Sequence, residues 1–254
     1  MILTIDIGNS NTVIGFFAED KLISTSRFIT AGNITVDELI IKFAGILNYN
    51  KIGNSAIKQI IIANVVPSLN DTYHKLAADY FNLEALFVRN FLANFPLNIT
   101  LPNMAEIGED RLANSLAAQQ IYAANLIVVD FGTAITFDIV LLDKGYVGGI
   151  IYPGINLAIN YLTSATAQLP QVALKPTAKI VGESTKEAIE SGIFNGYLAT
   201  IEGLITKIKQ AYILDFKVIA TGGMGGLFCE HSDLITDFDT NLTLKGLNFL
   251  HKHI

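Results

Sequence analysis

The chain carries the same short passage twice. Leu3-Thr4-Ile5-Asp6-Ile7-Gly8-Asn9-Ser10-Asn11-Thr12 returns in outline as Val128-Val129-Asp130-Phe131-Gly132-Thr133-Ala134-Ile135-Thr136, nearly half of the 254 residues further on. After each Asp-x-Gly comes a β-rich stretch, Val13 to Phe17 and Phe137 to Leu142. An Asp-Lys turn closes each one, Asp20-Lys21 and Asp143-Lys144, and a further strand follows. A lone Asp-x-Gly marks no more than a hairpin, but a matched pair with matched flanks predicts a duplicated α/β fold. The expected architecture is two similar mixed-sheet domains, residues 1–117 and 118–254, facing each other across an interdomain cleft. No linker or low-complexity tract separates them, and the boundary is read near Ala117.

Local patterns fill in the rest. Thr35-x-x-Glu38 reads as a capping box that opens a helix through Leu47, and Ser184-x-x-Glu187 caps a long helix reaching about Ala211. Gln59 to Val66 is a buried strand, and Pro67-Ser68 starts a helix towards Phe81. Glu109 to Ala124 is a helix; Lys217 to Ala220 is a strand that ends at Gly222-Gly223.

Composition excludes several classes of function. The net charge of −6 opposes wrapping of a polyphosphate backbone, which demands clustered Lys and Arg. A single cysteine, Cys229, rules out a disulfide framework and a multi-Cys zinc site, and fits a reducing compartment. His74, His231, His251 and His253 have no zinc-ligand spacing. The start, MILTIDIGN, has no basic region of a signal peptide, and the apolar run Leu126 to Leu142 is broken by Asp130 and Asp138. A soluble cytoplasmic protein that binds neither nucleic acid nor membrane is expected.

The two glycine turns are candidate phosphate sites. Without a Cβ, backbone N–H groups can approach a ligand closely, and successive N–H groups form a concavity for anions. The hydroxyls of Ser10, Thr12, Thr133 and Thr136 add donors. Neither a P-loop nor a complete G-x-G-x-x-G occurs. Asp6 and Asp130 beside phosphates would be repelled unless a cation lay between, most simply Mg²⁺ shared with water and phosphate oxygens. Gly222-Gly223, with Gly225-Gly226 behind, is a third close-approach point, either for a nucleotide base or ribose or as a plain helix start. Gly108-Glu109-Asp110-Arg111 opens a helix, where the dipole accounts for the two acids but not for Arg111. Asp110 can accept the proton of an alcohol while Arg111 binds an anionic substrate or a phosphoryl group.

Taken together, Asp6–Val13 (D-I-G-N-S-N-T-V), Gly108–Arg111 (G-E-D-R) and Asp130–Thr136 (D-F-G-T-A-I-T) resemble the three signature motifs of type III pantothenate kinase, in the same order. Gly148–Gly154, Leu162–Pro170 and Gly182–Gly192 resemble further motifs of that family, so the likeness spans nearly the whole chain. The resemblance implies a ribonuclease H-like, actin-like ATPase fold of the acetate and sugar kinase, Hsp70 and actin superfamily. It implies ATP-dependent phosphorylation of the primary hydroxyl of pantothenate, the first step of coenzyme A synthesis. It further implies a cytoplasmic homodimer that uses Mg²⁺ and a monovalent cation, K⁺ or NH₄⁺, with the substrate site near the subunit interface.

Residue by residue, Asp6, Ile7, Gly8, Asn9, Ser10, Asn11, Thr12 and Val13 would bind ATP, with Asp6 near Mg²⁺. Gly108, Glu109, Asp110 and Arg111 would contact pantothenate, Asp110 acting as general base. Asp130 would ligate the monovalent cation, Thr133 would touch ATP, and Thr185 would reach pantothenate across the dimer. The chain departs from the family pattern at Leu101, where a tyrosine is usual, at Ser10 in place of Thr, and at Ile135 in place of Thr. A regulatory factor that kept the fold without turnover, and a kinase of the same superfamily acting on another hydroxy acid or sugar, stay open as alternatives.

Overall fold

A computed structural model describes residues 1–164, 170 and 172–253; most of the motif read at Leu162–Pro170 lies outside these described residues. Strand β1 (Ile2–Ile7) forms a hairpin with β2 (Asn11–Ala18), and β3 (Lys21–Ile29) continues the antiparallel run. Helix α1 (Val36–Tyr49) begins at Thr35, whose hydroxyl accepts from Glu38 N–H while the Glu38 carboxylate accepts from Thr35 N–H. This is the expected capping box, and it satisfies two otherwise orphaned donors.

The chain then crosses over into β4 (Gln59–Asn64), parallel to β1. A 3₁₀ turn at Pro67–Leu69, helix α2 (Asn70–Lys75) and a π turn at Leu76–Phe81 lead to β5 (Ala85–Phe87), parallel to β4. Helix α3 (Glu109–Tyr122) closes this part of the chain and ends at Ala123, which turns left-handed at φ 46°.

The second sheet repeats the plan. It comprises β6 (Leu126–Phe131), β7 (Ala134–Leu141), β8 (Gly145–Pro153), β9 (Lys217–Gly222) and β10 (Asp237–Phe238). The strand order is β3-β2-β1-β4-β5 in one sheet and β10-β9-β6-β7-β8 in the other, so β6 stands for β1, β7 for β2 and β9 for β4. Helices α4 (Ile155–Ser164), α5 (Thr185–Tyr212) and α6 (Gly225–Cys229) belong to this half, and Ser184 caps α5 by accepting from Glu187 N–H. The duplication read from two short motifs therefore extends to the whole sheet topology.

Each sheet has its own core. Leu3, Ile5 and Ile7 of β1 pack with Leu39, Phe43 and Leu47 of α1 and with Tyr73 of α2. Phe43 meets Phe28, Tyr73 and Phe81 edge-on at centroid distances of 6.3, 6.5 and 6.0 Å. In the second half Ile127, Val129 and Phe131 pack with Ile201 and Ile205 of α5, and Phe131 stacks on Phe228 at 5.0 Å. Because strand side chains alternate, Thr4 and Asp6 face the side opposite Leu3, Ile5 and Ile7.

That opposite face of the first sheet carries α3 and the last helix, α7 (Leu242–His251). The chain divides into one compact unit of Met1–Ala123, Lys144–Tyr146 and the segment from Asn241 onward, and a second of Ala124–Asp143 and Val147–Thr240. The position read as the boundary, Ala117, lies inside α3, and the units part after Ala123.

The α3–α7 contact is a backbone contact. A Cβ on Gly246 would come within 1.9 Å of the Ala113 carbonyl oxygen, and Thr243 Oγ1 donates to the buried Asn114 Oδ1 at 2.8 Å. Gly246→Ala is expected to lower stability by at least about 2 kcal/mol, since no side chain can yield. Gly45→Ala on α1, where a Cβ meets nothing within 4 Å, is expected to gain up to about 1 kcal/mol from helix propensity. Urea unfolding of both variants checks this, and equal midpoints would contradict the close α3–α7 packing.

Candidate active site

In the first unit, the turn between β1 and β2 is closed by Gly8 N–H donating to the Asn11 carbonyl at 3.1 Å, and Thr30 N–H donates to the Ser10 carbonyl at 3.1 Å. Asn9, Ser10 and Asn11 are exposed, Asp6, Gly8 and Val13 are half-buried, and Ile7 and Thr12 are buried. The Thr12 hydroxyl lies 2.9 Å from Thr30 Oγ1 and also bonds the Tyr73 hydroxyl. Burial pushes the Tyr73 pKa up to about 12, and the bond to Thr12 only partly offsets this. Thr12 thus supports the turn from inside the sheet, while the groups at its surface are Gly8 to Asn11.

Helix α3 presents its first turn at the same end of this sheet. Asn64, the last residue of β4, is paired with Ile7 of β1, and Val65 N–H donates to the Ile7 carbonyl at 3.1 Å. Asn64 N–H donates to Glu109 Oε2 at 3.0 Å, and Arg89 Nε donates to Glu109 Oε1. Glu109 is only 2% exposed. Glu109, one of the residues read as a substrate contact, faces inward here and ties α3 to the end of β4, beside the glycine turn. Asn64 reinforces the join: its Oδ1 accepts from Val66 N–H at 2.8 Å, and its Nδ2 donates to Asn70 Oδ1 at 2.7 Å.

Asp110, the next residue, is half-buried and folds back over the helix start. Its Oδ1 accepts from Arg111 N–H at 2.8 Å. A Cβ on Gly108 would come within 2.5 Å of that same oxygen, so glycine at the N-cap is what gives the Asp110 carboxylate its place. Burial raises the Asp110 pKa above the ordinary carboxylate value; the N–H of Arg111 and the Arg111 charge pull the other way without cancelling it. Burial likewise raises the Glu109 pKa, against the hydrogen bonds from Arg89 and Asn64.

In the second unit, Asp130 is the next-to-last residue of β6, opposite Thr136 of β7 and Thr221 of β9. Here the turn is one residue shorter than the first: Phe131 pairs with Ile135, where Ile7 pairs with Thr12. Gly132 N–H donates to the Ala134 carbonyl at 3.1 Å, and Thr133 is exposed at the tip. Gly222 sits at φ +82°, and a Cβ there would lie 2.5 Å from Asp130 Oδ1. The reading of Gly222 as a close-approach point therefore has an occupant within the chain: the Asp130 carboxylate. Thr185 is exposed at the first position of α5. Asp6 and Gly108–Arg111 thus share the first unit, whereas Asp130, Thr133 and Thr185 belong to the second.

Arg89 and Asn64 escape a reading of the sequence, because neither belongs to a spacing pattern. Among the described residues no group of three or more His, Cys, Asp or Glu comes together as a metal cage. No helix is long and apolar enough to cross a membrane among these residues.

A family model described as type III pantothenate kinase matches residues 2–207. The chain belongs to the type III pantothenate kinase family. The type III pantothenate kinase of Sulfurihydrogenibium sp. (strain YO3AOP1) is 38% identical over 253 residues, covering 100% of both chains. That of Paramagnetospirillum magneticum is 41% identical over 252 residues, 99% of this chain and 97% of its own.

Among solved structures, a protein described as a Baf-family transcriptional activator from Campylobacter jejuni has a TM-score of 0.62 at 22% identity, covering 99% of this chain and 98% of that one. An inorganic polyphosphate/ATP-glucomannokinase from Arthrobacter sp. strain KM has a TM-score of 0.52 at 12% identity, covering 99% and 98%. At such identities these likenesses show the fold alone: the duplicated α/β plan expected from the repeated motif, of the actin-like ATPase and sugar-kinase type that the family resemblance implied.

The raised Asp110 pKa in this pantothenate kinase family member has a consequence for stability. Between the ordinary carboxylate pKa and the raised folded value, the native chain binds more protons at this site than the unfolded one, so its contribution falls as pH rises through that window. Asp110→Asn keeps an oxygen for Arg111 N–H and removes the buried charge. The variant is expected to be more stable than wild type at pH 7, and the gain should vanish below about pH 4. Chemical denaturation across pH checks this; a variant less stable at pH 7 would contradict it.

Proposed function

We propose that the chain phosphorylates the primary hydroxyl of pantothenate with ATP to give 4'-phosphopantothenate, the step that opens coenzyme A synthesis. The observation that carries this reading is the tie through Glu109, which holds the Asp110 turn of α3 at the end of β4, paired with the end of β1 that bears the Gly8 turn. A proton acceptor and an exposed backbone turn suited to phosphate are thereby fixed on one rigid sheet.

Asp110 accepts the proton of the pantothenate hydroxyl. Its raised pKa brings it closer to that of a useful base, and a loose phosphoryl-transfer transition state asks mainly that the carboxylate orient the hydroxyl. Gly108 keeps the space that this carboxylate occupies, and Arg111 supplies a cation for an anionic group of either reactant. The N–H groups of Asn9 to Asn11 bind phosphate oxygens, while Gly8 N–H closes the turn and Thr12 holds it from beneath. Thr133 contacts ATP from the second turn, and Thr185 contacts pantothenate from the partner of a homodimer in the cytoplasm.

The residues fit cations shared with phosphate. Asp6 and Asp130 are half-buried carboxylates at strand ends beside turns with exposed backbone, and among the described residues neither belongs to a cage of three or more His, Cys, Asp or Glu. Such a site completes its shell with water and phosphate oxygens. Asp6 would hold Mg²⁺, and Asp130, in the space left by Gly222, would hold K⁺ or NH₄⁺. When bound, these ions would offset the charge of the phosphates.

An ATP-consumption assay with pantothenate, with and without K⁺, against a panel of other small alcohols tests the reading. Consumption that depends on pantothenate and K⁺ is expected. Asp110→Asn should lower kcat by about 10²–10⁴ while ATP binding persists. Turnover of another alcohol in preference to pantothenate would overturn the substrate, and wild-type turnover by Asp110→Asn would overturn the base.

A further inference from the structure

Arg89 lies outside every motif, yet it is held by the residue that precedes the proposed base. It is the second residue of the 3₁₀ segment Val88–Asn94, which follows β5, and its Nε donates to Glu109 Oε1. The carboxylate that grips it is 2% exposed, with its other oxygen bonded by Asn64 N–H at 3.0 Å, whereas the Arg89 side chain is 50% exposed. The guanidinium is therefore anchored by its inner edge and open to water along the rest. No further partner of it occurs among the described residues.

An arginine fixed through Nε retains the pair of Nη groups that match a carboxylate in a planar, two-point contact. Its rotamer freedom is already spent within the protein, which lowers the cost of binding an anion there. The positive end of the α3 dipole adds to the attraction. We infer that Arg89 holds the carboxylate of the acceptor substrate while Asp110 addresses its hydroxyl.

The geometry of α3 also restricts which acceptors qualify. Successive residues of a helix leave its axis about 100° apart. Glu109 and Asp110 thus diverge, and the guanidinium lies beyond the Glu109 carboxylate. An acceptor that serves both carries its hydroxyl and its carboxylate as separate groups, as pantothenate does. This inference rests on the proposed function and names the group that selects within it.

The test compares pantothenate with its neutral alcohol analogue, in which CH₂OH replaces the carboxylate. Wild type should prefer pantothenate in kcat/KM. In the double variant Arg89→Met/Glu109→Gln, which leaves no buried charge unpaired, kcat/KM for pantothenate should fall at least about tenfold further than kcat/KM for the neutral alcohol. Any loss through the Asp110 turn falls on both substrates alike, so the collapse of the preference reads Arg89 alone. Arg89→Lys, which keeps the ion pair but loses the planar fork, should fall between and remains informative if the double variant does not fold.

Equal losses on both substrates would reduce Arg89 to a structural partner of Glu109 and overturn the inference, as would an undiminished preference for pantothenate. A wild type that turns over neither compound would instead overturn the proposed function, and this inference with it.

Discussion

An ionised carboxylate taken out of water loses solvation worth several kcal/mol unless both of its oxygens are met by good donors. Glu109 is in that position, and its two donors come from different parts of the first unit: the backbone of Asn64 at the end of β4, and the guanidinium of Arg89 after β5. The cost of leaving either oxygen unmet holds three pieces of chain in register. Asn64 is already fixed against Ile7 of β1 by the sheet, so α3 inherits the precision of a strand end. Asp110 follows directly in sequence and has little freedom left once Glu109 is seated.

Glycine then decides where the acidic side chains can go. The Asp110 carboxylate occupies volume that a Cβ at Gly108 would claim, and the Asp130 carboxylate occupies volume that a Cβ at Gly222 would claim. In neither case is the glycine needed mainly as a flexible joint. Gly108 sits at φ −58° and ψ 140°, which any residue adopts, so the space alone requires it there. Gly222 adds a left-handed φ to the same demand for room. A glycine beside a functional acid can thus be part of how the acid is aimed, even where the backbone is ordinary.

Much of the fold is legible from residue types because local chemistry and global architecture agree. Thr35 with Glu38 and Ser184 with Glu187 place two helix starts, and the paired Asp-x-Gly passages place two hairpins that the sheets then extend. The site is less legible, for physical reasons that differ by residue. Acids in a first helical turn are favoured by the dipole wherever they face, so Glu109 in the G-E-D-R run gives no sign that it turns inward. Thr12 reads as a surface hydroxyl if the turn is taken as a motif. It shares the parity of Ile14 and Phe16 in β2, and strand alternation alone assigns it to the buried side. The return of α7 to the first unit depends on a backbone contact at Gly246 with a partner far away in sequence, which no local pattern records.

The duplication explains how one plan can yield two unlike sites. Asn64 pairs with Ile7 and Gly222 pairs with Phe131, so these two residues occupy the same register position in their sheets, each one strand over from an Asp-x-Gly. In the first sheet that position keeps a side chain. Asn64 uses it to order the segment through Val66 and Asn70, and its N–H is spent on Glu109. In the second sheet the side chain is absent and the vacated volume belongs to Asp130. The first copy has become a platform on which a neighbouring helix is mounted, and the second a recess for its own strand's carboxylate. Because the sheet fixes both positions to within a strand spacing, a change at one residue type is enough to separate the two roles without disturbing the common topology.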